Sequence, residues 1–144
     1  MIGPRRRARA ILAAVALAAA VLVTGCGRLD RDAVQSEVET IQSAAAEGML
    51  VAREDARGRS YENFVEIRCA ELHSQVQKAE EKLDSTPAEK GYGQAASDAV
   101  SLAAQIRTEL ETLHDHPNDR AVAGQVADAL GTLSDKVDKI SSNL

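Results

Sequence analysis

The sequence predicts an all-α fold: an antiparallel up-down-up-down four-helix bundle after an N-terminal apolar helix. Three observations predict it. Small and apolar residues recur at 4-3-4-3 spacing in four separate stretches, a period that lays one apolar seam along each helix. Strand signals are missing, with no alternating Val/Ile/Thr/Tyr run and no Asn-Gly or Asp-Gly hairpin. The expected connections are only two to three residues long, which makes successive helices antiparallel neighbours. A three-helix arrangement with a long first hairpin is the alternative.

The first helix is expected over 31–57, with Val34, Val38, Ile41, Ala45, Gly48 and Ala52 on its seam and Asp30 or Asp32 as cap. Gly58 suits the position just past its end, and Ser60 can cap the next helix. Asp55, Arg59 and Glu62 would continue the seam but are all charged, so the seam is expected to change phase there. The second helix, 61–84, carries Val65, Cys69, Leu72, Val76, Ala79 and Leu83. Thr86-Pro87-Ala88-Glu89 reads as a capping box with Pro in the first turn, starting a third helix over 87–114. Its seam runs Tyr92, Ala96, Ala99, Ala103, Ile106, Leu110 and Leu113. His116-Pro117-Asn118-Asp119 ends it and opens the fourth helix, 118–142, whose seam runs Val126, Leu130, Leu133, Val137, Ile140 and Leu144.

A chain of 144 residues has room for one domain. Tyr61, Phe64 and Tyr92 are its only aromatics, which argues against sugar-stacking or base-stacking sites. The formal charge of −5 argues against nucleic acid.

Residues 1–9 hold Arg5, Arg6, Arg7 and Arg9 and no acid, and the 14 residues Ala10–Val23 are uniformly apolar. That is a basic region followed by a short apolar region, the order of a secretory signal. Fourteen helical residues rise about 21 Å, short of the ~30 Å hydrocarbon core, so a permanent span is disfavoured. The run ends Val23-Thr24-Gly25-Cys26.

This ending resembles the lipobox of bacterial lipoproteins. The resemblance covers the export segment alone. It implies cleavage between Gly25 and Cys26 and lipidation of Cys26, which divides the chain into a signal peptide (1–25), a lipidated cysteine with a short linker (26–30) and a bundle domain (31–144). It further implies a location on the extracytoplasmic face of a cell membrane, held there by the lipid on Cys26. Loss of the four leader arginines leaves 13 basic against 22 acidic residues, a formal charge of −9. Such acidity gives no attraction to anionic lipid, so acyl chains would do the holding. With Cys26 a thioether, Cys69 has no partner within the chain and is expected as a small buried hydrophobe.

No cofactor is expected and no enzyme motif stands out: G-x-S-x-G, S-x-x-K, G-x-G-x-x-G and the P-loop are all missing. Glu62 and Glu66, four apart, read as a solvated face. Glu111-Thr112-Leu113-His114 is an E-x-x-H, but di-iron bundles need two such motifs. His114, His116 and Asp119 cluster at one turn and form a weak metal candidate. The mature chain carries 25 Val, Ile, Leu, Met or Phe and 18 Ala, a lean core that leaves little room for a ligand between close helices.

Leu50, Phe64 and Ile67 miss the seams. Either the local seam rotates and buries them, or they form an exposed patch that docks a partner. The function expected on these grounds is that of a lipid-anchored, non-catalytic envelope protein, an accessory or interaction module for an unknown membrane- or wall-associated partner. A small-molecule or metal-binding lipoprotein is the alternative.

Overall fold

A computed structural model describes residues 27–144, and it is an all-helical bundle. Four helices follow one another: α1 (Arg31–Ala56), α2 (Glu62–Ser85), α3 (Gly93–Asp115) and α4 (Arg120–Ser142). Each packs on its neighbour in the chain, and α4 closes the ring against α1. The tightest pairs are α1 with α4 and α2 with α3; α1 also meets α3 across the diagonal, whereas α2 and α4 stay apart.

Gly48 explains that diagonal. A Cβ on Gly48 would come within 2.7 Å of Leu110 Cδ2 and 3.1 Å of Leu130 Cδ1, with Leu72 Cδ1 at 3.8 Å. Leucines from the three other helices thus converge on one bare position of α1. A glycine inside a helix costs about 1 kcal/mol relative to alanine; here the close approach of buried leucines offsets it. Most seam residues are buried as their spacing predicts, from Val34 to Ala52 on α1, Val65 to Leu83 on α2, Ala96 to Leu113 on α3 and Val126 to Val137 on α4; Tyr92, Ile140 and Leu144, at the proximal end of their seams, are only partly buried. Ion pairs line the flanks: Arg68 with Glu47, Lys82 with Glu37, and Arg107 Nε with Glu80 Oε2 at 2.6 Å.

Helix ends depart from expectation in four ways, each with a physical cause. Asp55 does not break the first seam; it is buried on it. Gly58 does act as the expected stop: its φ is +68°, its N–H donates to Asp55 O (2.8 Å), and Arg59 N donates to Glu54 O (2.9 Å), the paired bonds of a Schellman motif. Ser60 does not cap α2, which starts after an uncapped Tyr61. The Thr86–Glu89 box does not open α3 either. Leu29 N donates to Pro87 O and Glu89 N donates to Leu29 O, both at 2.8 Å, so the backbone there forms a bridge. Gly91, at φ +103°, then prevents a helical turn, and α3 begins at Gly93. The connections accordingly run longer than two to three residues.

The bundle has two distinct ends. The proximal end holds Leu29, the α2–α3 loop and the C-terminus, whose Leu144 main-chain oxygen accepts from Arg31 Nε at 2.6 Å. The distal end holds the α1–α2 and α3–α4 turns.

Candidate functional site

Three features of the distal half carry the functional question. The first is apolar surface. Leu50 (56% exposed), Phe64 (52%) and Ile67 (60%) all face solvent, so the seam does not rotate to bury them. Tyr61, 81% exposed, joins them at the start of α2. All four lie on the α1–α2 hairpin; among the described residues α3 and α4 expose no large hydrophobic side chain. Leu50 and Ile67 lie eight and nine residues from Gly58 on antiparallel helices, hence at similar height.

The second feature is the buried carboxylate of Asp55, 1% exposed. Its Oδ2 accepts from Asn118 N at 3.1 Å, which ties α1 to the α3–α4 turn. Asn118 takes a left-handed φ of 65° to present that N–H. Asp55 Oδ1 has no hydrogen-bond partner among the described residues. Close by, Cys69 is free and fully buried. Burial pushes its thiol up to about 12, and the negative charge of Asp55 pushes the same way. A thiol so placed stays protonated and unreactive near neutral pH.

The third is a cleft of about 220 Å³ between α2 and α3, lined by Cys69, Ala70, His73, Leu110, Glu111 and His114. The weak metal candidate His114, His116 and Asp119 is not gathered at one point in the structure. Asp119 is the N-cap of α4, and its Oδ1 accepts from Ala121 N and Val122 N, each at 3.1 Å. His116 is the exposed C-cap of α3, and only His114 lines the cleft. Among the described residues no group of three or more His, Cys, Asp or Glu side chains could hold a metal ion.

Sequence reasoning passed over Tyr61, His73 and the burial of Asp55. The signal for His73 is its position four residues after Cys69, one turn along the same side of α2. Gly25 and Cys26 lie outside the described residues. Among the described residues no helix is long and apolar enough to cross a membrane. Comparison of the chain with protein-family models, with curated proteins and with solved structures gives no match.

Proposed function

We propose that this protein is a lipid-anchored, non-catalytic helical protein on the extracytoplasmic face of a bacterial cell membrane. It serves as an accessory or interaction module for a membrane- or wall-associated partner. The observation that carries the reading is the order of the first 26 residues: four arginines, a 14-residue apolar run, then Gly25-Cys26.

The geometry next to that segment supports it. Leu29 follows Cys26 by three residues and is hydrogen-bonded into the proximal end. Three residues span about 10 Å at most, so acyl chains on Cys26 would hold the proximal end at the bilayer. Leu50 lies 19 residues beyond Arg31, which puts it about 30 Å further out. The apolar side chains that a partner would cover are thus carried clear of the headgroups. Exposed apolar residues gathered on one hairpin are a recognised mark of interaction surfaces.

Cys26→Ala tests the anchor. The variant should leave the membrane fraction or accumulate as uncut precursor, and unchanged maturation with full membrane retention would overturn the reading.

A further inference from the structure

We propose that the exposed patch of Leu50, Tyr61, Phe64 and Ile67 is a self-association surface, on which a second copy of this chain docks through a two-fold axis running along the bundle. This deepens the interaction reading above and rests on the lipid anchor for one step, the shared orientation of the two copies.

The register of the first hairpin makes the patch self-complementary. Arg68 Nε donates to Glu47 Oε1 at 2.8 Å, which fixes residues 47 and 68 opposite each other on antiparallel helices. Three residues forward from 47 and three back from 68 reach Leu50 and Val65. Leu50 of α1 and Phe64 of α2 therefore stand within about 2 Å of one height. Ile67 follows Phe64 by three residues and Tyr61 precedes it by three, so the apolar side chains run on as one outward stripe. A two-fold axis along the helices lays α1 of one copy over α2 of the other at equal height. Leu50 of each copy then meets Phe64 and Ile67 of the other, and the contact is made twice.

Charge favours a copy of the same chain. The described residues carry a formal charge of −9, which opposes self-association over most of the surface. Residues 50–70 are instead neutral: Arg53, Arg57, Arg59 and Arg68 balance Glu54, Asp55, Glu62 and Glu66. Arg53 and Glu62 are exposed, and among the described residues neither belongs to an ion pair. Six residues forward from 47 and six back from 68 reach this pair, again at one height. Across the axis Arg53 of each copy comes level with Glu62 of the other, so the rim gains two charge pairs where like charges would otherwise repel.

The area suits a dimer. Each of the four apolar side chains is more than half exposed, on the order of 500 Å² together, the size of patch that marks an association surface. With the flanking charged residues it approaches the ~800 Å² per partner of a stable interface. The anchor supplies the orientation. Acyl chains on Cys26 would stand every copy with its proximal end at the bilayer, so the patches meet at equal height and an antiparallel pairing is excluded.

The test uses two differently tagged copies of the full chain in one cell, one carrying a photo-reactive phenylalanine analogue in place of Phe64. Irradiation should give an adduct with both tags, at twice the chain mass, and its cross-link should map to α1 around Leu50. The yield should fall about tenfold or more when both copies carry Leu50→Asp or Ile67→Asp, each folded by circular dichroism. Leu50→Gln serves where the aspartate variant does not fold. Adducts with another protein alone, a cross-link mapped to α3 or α4, or an undiminished two-tag adduct in a folded Leu50 variant would overturn the dimer. The anchor fails separately. A two-tag adduct mapped to α1, together with full membrane retention and maturation of Cys26→Ala, would overturn the anchor and leave the dimer standing. Loss of Cys26→Ala from the membrane, with no two-tag adduct from the anchored parent, would do the reverse.

Discussion

At the proximal end the chain closes the bundle with backbone: Leu29 exchanges two hydrogen bonds with the α2–α3 loop and buries its own side chain beneath them. At the distal end a single side chain does the corresponding task. Asp55 reaches from α1 to the Asn118 amide of the opposite turn and leaves its second oxygen without a partner. The Leu29 closure is built from backbone groups that do not titrate and from one buried apolar side chain. The distal half instead holds Asp55, the one fully buried charged residue among those described, with the buried Cys69 thiol nearby. Among the described residues it also holds every exposed large hydrophobic side chain. The end that stability alone would design is the proximal one, and the end that departs from those rules is where function is expected.

The largest effect that separates the ends is alkaline. The Cys69 thiol is held near 12 in the folded chain against an ordinary value of 9.0. Below pH 9 both states keep the proton. As pH rises from 9 towards 12 the unfolded chain releases it and the folded chain does not, so folding loses about 1.4 kcal/mol per pH unit. Denaturant melts of the parent and of Cys69→Ala across that window should diverge by this slope. Parallel slopes would remove the distal core from the comparison.

Truncation at the proximal end comes next. Leu29→Ala should cost about 2 kcal/mol, because a buried leucine leaves a gap that the loop only partly fills. Hydrogen exchange should quicken at the Leu29 and Glu89 amides while the Asn118 amide keeps its protection. Equal loosening at both ends would show that the bundle opens as one unit and that its ends are not separable.

The distal counterpart is smaller. Asp55→Ala removes a charge-assisted bond but also a costly buried carboxylate, and the freed Asn118 amide can reach water. A net loss of about 1 kcal/mol is expected, read as faster exchange at Asn118 with Leu29 unchanged. A stabilised variant would mean that the orphaned Oδ1 outweighs the bond its neighbour makes.

Much of the fold was legible because heptad spacing reports burial directly: the α2 seam from Val65 to Leu83 and the α3 seam from Ala96 to Leu113 are buried residue for residue. Legibility failed where a distant partner decided the outcome. Thr86-Pro87-Ala88-Glu89 satisfies every local rule for a helix start, yet Leu29, some sixty residues earlier, uses its backbone in a bridge. Asp55 looked like a seam-breaker because charge argues for solvent, and only the Asn118 amide explains its burial. His73 went unseen for the same reason, since the cleft it lines is completed by residues of the next helix. Periodicity settles which face turns inward. It does not say what meets across the gap between helices.

The smallest effect on stability carries the most about function. Leu50 and Ile67 are more than half exposed on the outward side of the first hairpin, so Leu50→Asp and Ile67→Asp should each change stability by less than about 0.5 kcal/mol. The matching substitutions inside the seam, at Leu72 or Ile106, would bury a lone charge and unfold the bundle. If the patch docks a partner, a photo-crosslinker at Phe64 in intact cells should give a discrete adduct that the two aspartate variants abolish while keeping full helical signal. An adduct indifferent to both substitutions would mean that the patch is bare surface. Loss of helical signal would mean that Leu50 and Ile67 belong to the core. The same probe at an exposed position of α4, such as Asp128, should give no adduct, because that hairpin exposes no large apolar side chain among the described residues. An equal yield there would erase the asymmetry between the two hairpins on which the docking reading stands.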